Sequence, residues 1–327
     1  MQDKFGRNIT YMRISVTDRC NLRCVHCMPP GGVELMSMDD ILTYEDIYFT
    51  ARAAAKCGIK KIRLTGGEPL VRPDLPKLVS MLKSIEGIEQ VVLTTNGINL
   101  PKEIKALEKA GLDGINFSLN GACRTSFEAF TSADLYEQAM AGLQCALDSN
   151  IKSIKINCVP TKGREDDIVR IAQLAKDSRA SVRFIELMPI GMGSKLEGYS
   201  SSEILELLKD SIDGFTCEEA PKAEKNGQST ANCTYYNVDG WQSDIGFISA
   251  VSHKFCSECN RIRLTADGKL KSCLAFSSGQ DIAKAVKDRD LAELERLTRL
   301  CIESKPMGHN FETCGTEEVR LMSQIGG

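Results

Sequence analysis

The chain has 327 residues, 42% of them hydrophobic and 26% charged, with a net charge of -3. Such a composition suits a soluble globular protein that buries one large core or two moderate ones, and it offers no basic field for nucleic acid. The opening MQDKFGRNIT lacks the apolar run of a signal peptide, and no later stretch reads as a membrane helix. We therefore expect a cytoplasmic protein with no membrane partner, whose 14 cysteines stay largely reduced.

Six short β-branched segments are predicted as strands: YMRISVT from Tyr11, KKIRLT from Lys60, QVVLTT from Gln90, GINFSL from Gly114, SIKINCV from Ser153 and SVRFIEL from Ser181. Helical patterns lie between them, among them YEDIYFTARAAAKCG, which stops at Gly58, and DLYEQAMAGLQCALDSN, which stops at Asn150. Strand–helix alternation through about residue 187 predicts a parallel sheet with helical crossovers, an α/β fold. Six such units suit a partial barrel, and spacing alone leaves a doubly wound sheet open. Beyond residue 190 the pattern changes, so a boundary is placed near residue 195. SSEILELLKD reads as a helix and APKAEKNGQSTANCTYY as a loop. RIRLTADGKLKSCL reads as a hairpin turning at Asp267–Gly268, and DIAKAVKDRDLAELERLTRLCIESKP as helical up to Pro306.

The second, third and fourth strands run into LTGGEP, TTNG and SLNG. Their recurrence predicts a cleft at the carboxyl ends of the strands, where parallel α/β folds gather ligands. At the same edge, DRCNLRCVHCMP sets Cys20, Cys24 and Cys27 within eight residues. A zinc site normally takes four ligands, and His26 as the fourth would strain against its neighbour Cys27. A redox CxxC leaves Cys20 unexplained. The spacing favours an iron–sulfur cluster on three thiolates with one iron open.

A second set, Cys256, Cys259 and Cys273, flanks the hairpin, which would return Cys273 towards the CxxC. Alone it is three-quarters of a zinc ribbon, with Cys301 or Cys314 as possible fourth ligands. Arg261 and Arg263 share one side of a strand next to Cys259. Arg13, Arg63 and Lys155 are alternating polar positions in apolar strands, and on pattern alone they would face solvent. Cys57, Cys145 and Cys158 read as core residues; Cys123, Cys217 and Cys233 carry no motif.

The spacing Cys20-x3-Cys24-x2-Cys27 after a first strand, with GGEP after a second, resembles the radical S-adenosylmethionine (SAM) superfamily over the first two-thirds of the chain. YMRISVTDRCNLRCVHCMP, IRLTGGEPLVR, LTTNG, FCSECNRIRLTADGKLKSCL and MSQIGG together resemble the GTP 3′,8-cyclase family of molybdenum cofactor biosynthesis, nearly end to end. The resemblance implies a partial (β/α)6 TIM-like barrel over residues 1–195. A smaller C-terminal α+β domain, residues 196–327, would carry a second cluster and cover the barrel opening.

It further implies one [4Fe–4S] cluster on Cys20, Cys24 and Cys27 that chelates SAM, and another on Cys256, Cys259 and Cys273 whose open iron faces the guanine of GTP. SAM cleavage would yield a 5′-deoxyadenosyl radical, which takes hydrogen from C3′ of GTP before that carbon closes on C8. By the same resemblance His26, Gly67, Ser118 and Met188 would contact SAM. Arg13, Arg63, Thr94, Lys155, Arg261 and Arg263 would contact GTP. The catalytic set would be Arg13, Arg261, Arg263 and the tail glycines Gly326 and Gly327, which would reach the active site. A homodimer, a downstream pterin synthase and an unidentified electron donor are the implied partners. Two positions depart from the family pattern: His26 stands where Tyr is usual, and Asn120 where Asp is usual. A radical SAM peptide-modifying enzyme and a non-enzymatic iron–sulfur or zinc regulator are the competing readings. NRIRLTADGK with the Gly-Gly tail argues against the first, and GGEP with the first triad against the second.

Overall fold

The computed structural model describes residues 1–220, 232–311 and 316–326. Its centre is six parallel strands in sequential order: β1 (Tyr11–Ser15), β2 (Lys61–Thr65), β3 (Gln90–Thr95), β4 (Gly114–Ser118), β5 (Ser153–Cys158) and β6 (Ser181–Ile185). Between them run α1 (Tyr44–Lys56), α2 (Leu75–Lys83), α3 (Leu100–Lys109), α4 (Arg124–Thr131), α5 (Tyr136–Asp148) and α6 (Glu165–Gln173). The helix starts follow from the sequence: Thr43 caps α1 reciprocally with Asp46. The stop at Gly58 has a steric reason, since its φ is +93° and a Cβ there would sit 2.6 Å from the amino group of Met1.

Alternation within the strands separates two faces. Met12, Ile14, Ile62, Leu64, Val91, Leu93, Ile115, Phe117, Ile154, Ile156, Val182 and Phe184 are all buried and belong to the main apolar core. Burying one such side chain stabilises the fold by roughly 1.5–3 kcal/mol. A one-residue slip would exchange these side chains for Arg13, Arg63 and Lys155, so the register is strongly fixed.

Strands from beyond residue 195 extend this sheet at both edges. After α7 (Ser201–Ser211) come β7 (Cys217–Glu219), β8 (Thr234–Val238) and β9 (Ile245–Ile248), and β9 lies parallel to β6. At the other edge β10 (Arg261–Leu264) lies parallel to β1. The expected hairpin is present, with β11 (Lys269–Lys271) antiparallel to β10, followed by β12 (Gln280–Asp281). The twelve strands among the described residues form one sheet.

The stretch read as helical up to Pro306 divides into α8 (Ala283–Lys287) and α9 (Leu291–Glu303). Arg289 takes a φ of +51°, and the Asp290 carboxylate accepts the Glu293 N–H and starts a new helix. The chain ends its described part in α10 (Met322–Ile325). Of the expected loop at residues 220–236, the last three residues belong to β8, and 221–231 lie outside the described residues. Among the described residues no helix is long and apolar enough to cross a membrane.

Candidate active site

The face of the sheet opposite the apolar core is polar. Pairing places Arg263, Arg13 and Arg63 side by side across β10, β1 and β2, with Arg261, Tyr11 and Lys61 one step nearer the strand starts. Further round, Thr94, Asn116 and Lys155 form a row across β3, β4 and β5, and Asn157 pairs with Arg183 on β6. Strands from both ends of the six-stranded order contribute to one cavity of about 820 Å³ whose lining includes Tyr11, Arg13, Arg63, Lys155, Arg183 and Arg261. The sheet therefore curls around this space as a partial barrel.

This polar cavity opens among the first residues of the strands, including Tyr11, Lys61, Gln90, Ser153 and Ser181, whereas the LTGGEP, TTNG and SLNG turns, where the sequence pattern placed a cleft, do not line it. Arg13, Arg63 and Lys155 face this interior and not bulk solvent as their pattern alone suggested. Burial, joined by the neighbouring Arg183, Lys61 and Arg63, pushes the Lys155 ammonium down to about 6. Arg63 is pushed down to about 9, mainly by burial. The Nε groups of Arg13 and Arg63, the Tyr11 phenol oxygen and the Thr94 hydroxyl are buried without a hydrogen-bond partner. Buried cations repelling one another, with unspent donors, suit a ligand that is polar and strongly anionic.

Cys20, Cys24 and Cys27 follow β1, at the carboxyl end of the barrel. The loop that carries them is held by packing too close for side chains. The Gly67 N–H donates to the Thr17 carbonyl at 2.7 Å, and a Cβ on Gly67 would lie 2.2 Å from the Arg19 carbonyl oxygen. The glycine thus lets the GGEP turn press against the cysteine loop. Its neighbour Glu68, fully buried, accepts from the Thr95 hydroxyl and the Leu70 and Asn96 N–H groups, tying together the turns after β2 and β3. Burial drives the Cys20 thiol up to about 11 and Cys27 up to about 12, and the triad's own mutual repulsion adds to Cys24 and Cys27. Desolvated thiols held this close ionise only against added positive charge, which a metal cluster supplies.

His26 is half-buried against Phe130, ring centroids 5.3 Å apart, and desolvation pushes its imidazole down to about 4, so it is a neutral ring. Asn120 accepts the Val159 N–H at 2.7 Å through its side-chain oxygen, an acceptor role that the amide and a carboxylate share. Ser118 closes β4 at half exposure, and Met188 packs on a small cluster of Ile190, Ala275, Phe311 and Ile325.

The second triad lies at the opposite end of the barrel. Cys256 and Cys259 precede β10, which runs parallel to β1, and the hairpin returns Cys273 beside them. Burial opposes ionisation of Cys259, but Arg261 and Lys305 outweigh it and bring the thiol down to about 6. Lys305 also donates to the carbonyls of Arg261 and Ser272, and Arg7 donates to those of Cys256, Pro306 and Met307. These two cations fix the loops that hold the thiols. Cys301 is a core residue of α9, not a fourth ligand beside the triad, and Cys314 lies outside the described residues. Among the described residues no three His, Cys, Asp or Glu donors converge on a single ion. A cubane asks less convergence, because each thiolate binds a different iron.

Between the two ends lies the chain's tail. The Gly326 carbonyl accepts from Arg263 Nη1 at 2.5 Å, and its Cα sits so close to β1 and β2 that a Cβ would be 2.8 Å from Thr65 Oγ1. The Ser323 N–H is directed to the Cys27 sulfur. Gly327 lies outside the described residues. Sequence reasoning missed Tyr11, Lys61 and Arg183 in the cavity and Glu68 behind it. Tyr11-x-Arg13 and Ser181-x-Arg183 carry the same alternating signal that singled out Arg13.

Comparison with known proteins agrees with both halves of the site. Residues 14–175 match the model of the radical SAM superfamily, and residues 180–311 match that of Molybdenum Cofactor Synthesis C. The chain is 40% identical to a GTP 3′,8-cyclase of Petrotoga mobilis, and 41% identical to one of Clostridium botulinum, over all of each chain. In fold it is similar to the crystal structure of Streptococcus suis SuiB bound to S-adenosylmethionine. The TM-score is 0.61 at 15% identity, covering 88% of this chain and 65% of that one. Two triads at opposite ends of one cation-lined barrel, and full-length identity near two-fifths, place the chain in the GTP 3′,8-cyclase family of radical SAM proteins.

Proposed function

We propose that the chain is a radical SAM lyase that converts GTP to (8S)-3′,8-cyclo-7,8-dihydroguanosine 5′-triphosphate, the first step of molybdenum cofactor biosynthesis. The observation that carries this reading is a cationic cavity in a barrel that bears one three-cysteine set towards each end. Cys20, Cys24 and Cys27 would hold the cluster that binds SAM, and Cys256, Cys259 and Cys273 the cluster that faces the base. When bound, the N-terminal cluster and SAM supply the one-electron, hydrogen-abstracting chemistry.

The protein's own part is placement and charge. Arg13, Arg63, Lys155 and Arg261 neutralise the triphosphate, with Thr94 as an uncharged donor. Arg263 holds the tail in place through Gly326. Gly67, Ser118, Met188 and the neutral His26 ring shape the SAM side. Holding C3′ near C8 inside a walled barrel replaces the entropy that an unguided ring closure would lose. Residues 1–195 act as the barrel and 196–327 as the auxiliary part, in a cytoplasmic homodimer that takes electrons from a separate donor and passes its product to a pterin synthase. The test is anaerobic reconstitution followed by SAM, reductant and GTP. We expect 5′-deoxyadenosine and the cyclised nucleotide together. SAM cleavage without a GTP product would point to a peptide-modifying enzyme instead, and no cleavage at all would exclude both.

A further inference from the structure

Residues 316–326 bring a chain end past the outside of the C-terminal hairpin and into the barrel, and most of what holds them is visible. The Thr316 hydroxyl and the N–H groups of Glu317 and Glu318 donate to the Ala275 carbonyl. Leu321 packs against Gly191, where a Cβ would stand 2.7 Å from Leu321 Cδ2. Arg320 reaches Asp267 in the hairpin turn, and its N–H donates to the Glu318 carboxylate at 3.0 Å. Among the described residues, the most deeply buried ion pair is Lys271 with Glu318, whose side chains are 0% and 1% exposed. Lys271 on β11 stands opposite Arg263 on β10, the residue that grips Gly326. Neighbouring cations on one hairpin thus hold the two ends of the tail segment.

We propose that Lys271 and Glu318 are positioning residues whose ion pair is the catch that docks the tail, so that Gly326 is delivered against the ends of β1 and β2. This rests on the reading that the tail takes part in turnover. A pair buried this deeply contributes little as a charge attraction, because both ions lose their water. Its effect is conditional: with the tail docked the two opposite charges face each other, and without Glu318 the Lys271 ammonium is left buried near Arg263 and Arg320, while without Lys271 the Glu318 carboxylate keeps only Arg320. The pair therefore acts on where the tail sits more than on how stable the barrel is.

The experiment is a double-mutant cycle on the reconstituted full chain, comparing Lys271→Met, Glu318→Met and the double variant. Hydrogen exchange of the 316–326 backbone is read beside that of α9, with turnover and the KM for GTP measured in parallel. Each single variant is expected to exchange at 316–326 roughly tenfold faster or more, with α9 still protected. The double variant strands no charge and is expected to recover most of the protection, so the losses do not add. Turnover should follow exchange while the KM for GTP stays put. Unchanged exchange in both single variants, or losses that add in the double variant, would overturn the catch. If a single variant is loosened throughout, the double variant decides: restored protection at 316–326 supports the catch, and exposure there beside a protected α9 overturns it. Faster exchange with wild-type turnover leaves the catch standing and refutes the tail's part in the reaction.

Discussion

Replacing Gly326 by Ala tests the tail with a single methyl group. Gly326 has a φ of +78° and a ψ of +97°, a region that a side chain disfavours. The added carbon would also stand 2.8 Å from Thr65 Oγ1 and 2.9 Å from Ser15 Cβ, closer than real Cβ atoms come. Thr65 donates to the Ile14 carbonyl and Ser15 to that of Thr17, so neither is free to swing away without giving up a bond. A residue forced into such a conformation costs about 1–3 kcal/mol. The tail can escape that cost by leaving its place, because β1 and β2 are held by their own ladder. The docked fraction should then fall roughly ten- to a hundredfold. Turnover at saturating GTP should drop by a similar factor, with SAM binding, cluster content and the KM for GTP near wild type. Wild-type turnover in this variant would refute the argument, because it would mean that Gly326 is not held against the ends of β1 and β2 during the reaction.

Three further outcomes are expected. Cys24→Ser should abolish SAM cleavage, whereas Cys256→Ser should keep some cleavage and lose the GTP product; product formation at the wild-type rate in the second variant would leave the auxiliary triad without a role. Arg63→Met should weaken GTP binding by roughly ten- to a hundredfold and SAM binding hardly at all, as befits loss of one charge-assisted phosphate contact; equal GTP affinity by calorimetry would remove Arg63 from the site. Burial would raise the Tyr11 phenol, but Arg63, Arg13, Lys61 and Arg261 outweigh it and bring it down to about 8 from its ordinary 10. A depressed acid stabilises the fold fully above its unfolded pKa and loses that contribution as pH falls through the folded one. Nucleotide-free wild type should therefore gain thermal stability over Tyr11→Phe as pH rises from about 8 to 10, and a pH-independent difference in Tm would contradict this.

The six central strands were legible because each has an apolar face that alternates cleanly, and the crossover helices because stops such as Gly58 mark their ends. The cysteine sets were legible from spacing. The direction of Arg13, Arg63 and Lys155 was not, because a period of two says that they share a face but not what that face meets. The face meets a cavity because β10 and β9 lengthen the sheet at each edge, and those pairings join residues far apart in sequence. Tyr11 and Arg183 obeyed the same rule unnoticed, Tyr11 because an aromatic at a strand start passes for core. The division of α8 from α9 depends on one left-handed Arg289, a conformation that residue type does not announce. Gly67 signals a close backbone approach, and the backbone it meets is the Arg19 carbonyl of its own chain.

The pairing of β10 with β1 sets an order for making the protein. β1 leaves the ribosome well before β10, since Asn260, which precedes β10 and donates to Thr10, follows Thr10 by 250 positions. At about 5–20 residues per second that interval lasts on the order of 10–50 s. Through it, one edge of β1 is unpaired, with its backbone donors and acceptors open to any passing strand. Tyr11 and Arg13 put bulk and positive charge on β1 itself, which discourages pairing with another nascent copy carrying the same charges. The cations suited to a triphosphate in the finished barrel would thus serve the unfinished one as a guard against aggregation, and the N-terminal cysteines would be complete well before the second set exists.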